Sequence, residues 1–187
     1  MEALSDLRFP ALAPTSTAEA LRVPSPPAAI TWRYATVADI PFLRRLYGEL
    51  RADELAGVAW LPTLKQAFLD QQFVLQHHHY TTYFPCADFL VIEQAVRAIG
   101  RLYLDRQAHD WCLIDIGLLA SVRGRGVGTA LIGHLQSLAS TRGVGLSLHV
   151  QLDNQRARAL YERLGFQAGV RTGHHLAMRF PPRATVS

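Results

Sequence analysis

The sequence predicts an α/β domain, a sheet flanked by helices, on three observations. Alternating apolar and polar residues mark short strands at Ile30–Tyr34 and Leu146–Gln151. Between such stretches apolar residues recur at helical spacing, as in Ile40, Leu43, Leu46, Tyr47 and Leu50. At the centre an apolar run over 111–120 passes through Arg123-Gly124-Arg125-Gly126-Val127-Gly128 into an apolar-periodic segment that reaches Ala139. That order reads as strand, glycine loop, helix.

In chain order, residues 1–29 are rich in Pro, Ala, Ser and Thr and hold too little apolar surface to offset their ordering entropy. They are read as a flexible arm, or one ordered only by contact with the domain or a second subunit. A single domain is expected over 30–181, with 182–187 a short tail. After the first strand, Thr36 or Asp39 caps a helix that runs to about Arg51. Pro62 suits the start of a second helix, for which Leu64, Phe68, Phe73 and Leu75 form a candidate inner face. Its later part carries Gln71, Gln72, Gln76, His77, His78, His79, Tyr80 and Tyr83, an unusual set for a helix that only packs. Consecutive histidines on a helix point in different directions, so the triplet does not read as a metal site, and none is expected elsewhere.

Residues 88–93 and 96–104 read as a hairpin that turns near Gln94 and Ala95. The central strand ends near Ala120, and the helix after the glycine loop closes at Gly143. Asn154 or Asp153 caps a further helix that stops at Gly165, and two strands over 166–172 and 175–180 finish the sheet before Pro181 and Pro182.

Composition excludes several classes. Of the 187 residues, 49% are hydrophobic and 18% charged, the balance of a globular chain rather than a disordered one. No apolar run approaches the roughly 20 residues of a membrane-spanning helix. Residues 1–29 lack the apolar core of a secretory signal, and Glu2, Asp6 and Glu19 argue against a transit peptide, so a cytoplasmic protein is expected. Cys86 and Cys112 are too few for a disulfide framework and read as small core residues. A net charge of +4 admits an anionic ligand. The arginines are nevertheless scattered, with no basic run interleaved with aromatics, which argues against nucleic acid as a partner.

The glycine loop carries the chemistry. Glycines at 124, 126 and 128 let the backbone bend sharply and bring its N–H groups close to a ligand. The following helix offers unpaired donors and a positive dipole end, and Arg123 and Arg125 add charge, which together suit a phosphate or pyrophosphate. The dinucleotide fingerprint fails because Thr129 stands where its third glycine belongs. A Walker-type loop fails because the chain's single lysine is Lys65.

The pattern that fits is Arg/Gln-x-x-Gly-x-Gly/Ala, met by Arg123, Gly126 and Gly128. A second block follows: Leu148-His149-Val150, Asn154, Ala157, then Leu160-Tyr161-Glu162-Arg163-Leu164-Gly165-Phe166. Both together closely resemble the GNAT superfamily of acyl-CoA-dependent N-acyltransferases, over roughly 30–180. The resemblance implies a mixed, mostly antiparallel sheet of six or seven strands, splayed between strands 4 and 5 and flanked by helices on both faces. It also implies acetyl-CoA as co-substrate, lying in that cleft, and a small-molecule or peptide amine as acceptor. A homodimer is compatible with it.

Position by position, the resemblance implies that the backbone at Leu118, Leu119 and Ala120 pairs with the pantetheine arm. N–H groups across Gly124, Arg125, Gly126, Val127, Gly128 and Thr129 would hold the pyrophosphate with Arg123, and Asn154 would contact the pantetheine region. Tyr161 matches the family tyrosine near the thioester sulfur, where a phenol can protonate the departing thiolate. His149 lies five residues before Asn154, where some members place a glutamate base, and Asp115, an acid within an apolar strand, is the competing base. The segment holding the glutamine and histidine cluster commonly forms a wall of the acceptor site in this fold. Ala120 departs from the pattern, replacing a frequent proline. An acyl-CoA-binding module without catalysis is the alternative function.

Overall fold

The computed structural model describes residues 4–11, 30–107 and 109–182. Its core is one seven-stranded mixed sheet: β1 (Ile30–Tyr34), β2 (Asp88–Gln94), β3 (Arg97–Asp105), β4 (Trp111–Leu118), β5 (Leu146–Gln151), β6 (Gln167–Thr172) and β7 (His175–Phe180). The strand order is β1-β2-β3-β4-β5-β7-β6, and only β4 and β5 run parallel. Among the described residues four α-helices flank the sheet: α1 (Ile40–Arg51), α2 (Pro62–Tyr83), α3 (Val127–Thr141) and α4 (Gln155–Arg163). The fold is the one expected, with the strand count settled at seven. Among the described residues no helix is long and apolar enough to cross a membrane.

Strand periodicity divides the interior into two cores. Leu90, Ile92, Leu102, Leu104 and Leu113 meet Leu131, Ile132 and Leu135 of α3 and Leu148 and Val150 of β5 on one face. Phe89, Val91 and Tyr103 meet Leu43 and Tyr47 of α1 and Phe73 of α2 on the other. Burying each such side chain contributes about 1.5–3 kcal/mol. Residues 4–11 belong to the second core, because Leu7 is fully buried and the Phe9 ring stands edge-on to His77 at 5.0 Å. The rest of the predicted arm, 1–3 and 12–29, lies outside the described residues, as do 183–187.

Ahead of α1, Thr36 starts a short turn, Val37–Asp39, and Asp39 is the N-cap residue of α1 by position, but its side chain makes no cap hydrogen bond to the helix. Thr36 donates from its N–H and hydroxyl to Asp39 Oδ2, at 2.8 and 3.0 Å, and Arg33 grips the same carboxylate through both oxygens at 2.8 and 2.7 Å. The Arg33 bonds are the main reason the Asp39 carboxyl is held below its usual range.

For α2 the structure corrects the predicted inner face. Phe73 is buried, but Leu64, Phe68 and Leu75 are exposed. The stripe that packs inward is Leu69, Phe73, His77 and Tyr80, at spacings of four, four and three. His77 is buried because its Nε2 lies 2.7 Å from the Arg8 carbonyl oxygen, so an aromatic ring with one satisfied nitrogen substitutes for an apolar residue. The cysteines also depart from expectation: Cys86 is exposed and Cys112 only half-buried.

Candidate active site

The site originates in how β4 meets its neighbours. β4 and β5 pair only through Trp111, Cys112 and Leu113 with Leu146, Ser147 and Leu148; beyond these the strands part. On its other side β4 pairs with β3 down to Leu118, with an irregularity that skips Ile114. That extra residue changes the strand's parity. Without it, strict alternation from Trp111 and Leu113 would turn Asp115 into the apolar core under α3. With it, Asp115 stands opposite Tyr103 on the α1/α2 face, and Gly117 takes the position under α1, where an added Cβ would lie 2.6 Å from Leu50.

The register also fixes where backbone groups point. Leu119 N–H donates to Ile99 oxygen at 2.9 Å, which makes Leu118 and Gly100 a non-hydrogen-bonded pair. The N–H and C=O of Leu118, and of Ile116 two residues earlier, therefore face the gap left by β5. A short turn, Ala120–Val122, follows, and the Ala120 N–H points to a Glu49 carboxylate oxygen at 3.4 Å.

In the glycine loop, Gly124 and Gly126 adopt φ of +75° and +81°, a conformation costly for residues with a Cβ. Gly126 is the N-cap of α3, and the helix's first ladder bond joins Ala130 N–H to Gly126 oxygen. The N–H groups of Val127, Gly128 and Thr129 are therefore left without helical partners at the positive end of the dipole. Arg123 turns back so that Nε donates to the Leu118 carbonyl at 2.8 Å, while its Nη2 is buried with no hydrogen-bond partner among the described residues. Arg156, in the first turn of α4, brings Nη2 to 3.6 Å from where a Gly124 Cβ would be. The cradle is thus cationic and rich in donors, as an anionic ligand requires.

Where the strands part there is a cavity of ≈ 750 Å³. Asp115, His149, Asn154 and Tyr161, drawn from β4, β5 and α4, all line it. Residues 118–129 are not in that lining; they begin at the last residue of β4 and continue past it. From the opposite side come Gln76, His79 and Tyr80 of α2. Half-buried Cys112 also lines the cavity, and burial pushes its thiol above the usual range.

Tyr161 is 8% exposed, with its ring 5.6 Å from that of Phe166. Burial first, and then the charge of Asp115, push its phenol up to about 12. It therefore stays protonated across the physiological range, the state a proton donor needs. Tyr80 is raised by the same two causes in the same order. Asp115 pairs with Arg101 Nη2 at 2.5 Å. His149 is exposed on the face of β5 opposite to Leu148 and Val150. Asn154 accepts from Ala157 N–H at 3.1 Å and so caps α4. Among the described residues no group of three or more His, Cys, Asp or Glu could hold a metal ion.

Sequence reasoning missed Arg101. It is 3% exposed on β3, and the signal was present: an arginine among Ala98, Ile99, Leu102 and Leu104 requires a buried counter-charge, as Asp115 does.

Comparison with known proteins identifies the family. Residues 43–166 match the Acetyltransferase (GNAT) family, and the chain belongs to that family. It is 42% identical over 60 residues to the 5-NmdU N-acetyltransferase of Pseudomonas phage PaMx11, covering 32% of this chain and 41% of that protein. It is 43% identical over 56 residues to the uncharacterized N-acetyltransferase YycN of Bacillus subtilis (strain 168), covering 29% of this chain and 36% of the relative. The matched stretch thus spans under half the length of both relatives. In structure it is similar to the PaiA N-acetyltransferase of Thermoplasma acidophilum in complex with coenzyme A, with a TM-score of 0.62 and 17% identity over 81% of this chain and 98% of that one.

Proposed function

We propose that this chain is an N-acetyltransferase that moves an acetyl group from acetyl-CoA to a primary amine of a small molecule or peptide. The observation that carries the reading is the parting of β4 from β5, which aims the backbone of Leu118 into a cleft between a cationic glycine loop and the buried phenol of Tyr161. The residues present fit the cofactor. The orphaned Arg123 Nη2, the N–H groups from Gly124 to Thr129 and the N-terminus of α3 match a pyrophosphate. The free edge of β4 at Ile116 and Leu118 matches the amides of a pantetheine arm, which Asn154 would also contact.

Acetyl-CoA, when bound, supplies an activated acetyl group; the chain's own residues do the rest. In this reading Leu118 N–H donates to an oxygen that gains negative charge, a role supported by its facing the gap left by β5. The Tyr161 phenol provides the proton for a departing thiolate. An alkylammonium acceptor, with a pKa of roughly 10, must first lose a proton, and His149 or Asp115 on the cavity wall takes it. No covalent enzyme intermediate is required when both substrates are held together, because proximity itself gives effective molarities on the order of 10⁵ M or more. Gln76, His79 and Tyr80 are proposed to contact the acceptor.

The second reading, an acyl-CoA-binding module without catalysis, shares the cleft and differs in turnover. Calorimetric titration with acetyl-CoA, followed by an assay on a panel of alkyl diamines, amino-acid amides and short peptides, separates the two. Saturable binding with acetylation of an amine supports the enzyme. Binding without turnover of any amine supports the module, and absence of binding overturns both.

A further inference from the structure

The acetyl-transfer reading leaves two candidate bases on one cavity, and a buried network decides between them. Arg101 projects from β3 to the wall where Asp115 stands, and it is 3% exposed, so its charge is almost fully removed from water. One nitrogen, Nη2, donates to Gln76 Oε1 at 2.7 Å and lies 2.5 Å from Asp115 Oδ2, an ion-pair contact made without hydrogen-bond geometry, since Asp115 Oδ2 and Arg101 Nε have no hydrogen-bond partner among the described residues. The guanidinium carbon lies 5.4 Å from the centroid of the Tyr103 ring, against which Tyr80 stands edge-on at 5.7 Å. Arg101 therefore joins the bulged middle of β4 to the α2 wall of the cavity.

We infer that Arg101 is a positioning residue for the transfer, holding Asp115 as a neutral ion pair and pinning Gln76, so that His149 accepts the proton of the incoming ammonium. The inference rests on the acetyl-transfer reading. Its physical basis is the cost of a buried charge. A proton taken by Asp115 would neutralise the carboxylate and leave Arg101 buried without a counter-ion, the costly half of a broken ion pair. His149 carries no such commitment; it forms no ion pair among the described residues and lies exposed on the cavity side of β5. A purely structural pair gains little over apolar residues of similar volume, and this one lies on the cavity wall rather than inside either apolar core.

A double-mutant cycle on the full chain tests the idea, using the amine that the wild type turns over fastest. Asp115→Asn leaves the Arg101 charge buried and unpaired, while Arg101→Met leaves the half-buried Asp115 carboxylate unpaired on the cavity wall, and each is expected to lower kcat roughly tenfold to a hundredfold. The double variant leaves neither, and is expected to recover kcat to within roughly fivefold of wild type with acetyl-CoA affinity kept, while the KM for the amine stays raised because Gln76 has lost its donor. Arg101→Lys keeps the charge but not the planar fork, and is expected to restore kcat more fully than the KM for the amine. His149→Ala is expected to lose roughly 10²–10⁴-fold, with no recovery when combined with the double variant.

Losses that merely add, or a double variant no better than Asp115→Asn, overturn the inference while leaving the enzyme reading intact. The second outcome would make Asp115 the base. A wild type that binds acetyl-CoA and acetylates nothing in the panel overturns the enzyme reading and this inference with it. If Arg101→Met alone fails to fold, by circular dichroism, the comparison of Asp115→Asn with the double variant still decides, because the double variant buries no unpaired charge.

Discussion

Arg123 Nε donates to the backbone carbonyl of Leu118 at 2.8 Å, across the turn that ends β4. One guanidinium thus straps the glycine loop to the strand while leaving Nη2 buried and unsatisfied toward the loop. Arg123→Ala is expected to weaken acetyl-CoA binding roughly tenfold to a hundredfold, the scale of one or two charge-assisted hydrogen bonds. Calorimetry reads the change; an unaltered dissociation constant would reduce the residue to a strap.

The position of Tyr161 makes a prediction in pH. Its phenol is pushed up to about 12, burial being the larger cause, so its proton is lost only as pH climbs towards that value. The kcat profile between pH 6 and 10 is therefore expected to lack a descending limb from this residue. Tyr161→Phe is expected to lower kcat by roughly 10²–10⁴-fold with acetyl-CoA binding nearly kept. A variant as active as wild type would remove the general-acid assignment.

His77 couples stability to pH. Burial holds it below its usual 6.5, with the charges of His78 and Arg101 acting in the same direction against the contact with the Arg8 carbonyl. The unfolded chain takes up the proton first as pH falls through 6.5, so the contribution of neutral His77 is present above that pH and is lost below it. The stability difference between wild type and His77→Phe, from urea denaturation, is expected to be largest near pH 7.5 and to narrow towards pH 5.5. Parallel curves would show that His77 does not titrate on unfolding.

Gly117 lies where β4 passes close under Leu50 of α1. A Cβ there would lie 2.6 Å from Leu50 Cδ1, so Gly117→Ala is expected to cost about 1–3 kcal/mol by overpacking. Leu50→Ala in the same chain should return part of that loss. Equal melting temperatures for wild type and Gly117→Ala would mean that α1 can move aside freely.

Much of this molecule was legible in its sequence, for local reasons. Period-two and helical patterns mark strands and helices because each residue's direction is set by its own backbone, and the run Arg123 to Gly128 announces an anion cradle because glycine and arginine chemistry does not depend on distant neighbours. Tyr161, Asn154 and His149 were nominated by the family resemblance and Asp115 as an acid within an apolar strand, and all four line one cavity.

What the tertiary structure alone decided concerns partners and parity. Whether Asp115 faces the apolar core or the cavity turns on one unpaired residue, Ile114, which no local pattern announces. The inner stripe of α2 runs through His77 and Tyr80 rather than Leu64 and Leu75, because Arg8 satisfies one and Tyr103 packs the other from remote parts of the chain. Arg101 meets its carboxylate across the ladder joining β3 to β4. Burial and charge pairing are properties of distances between residues far apart in sequence, so they came into view only once the strands were laid side by side.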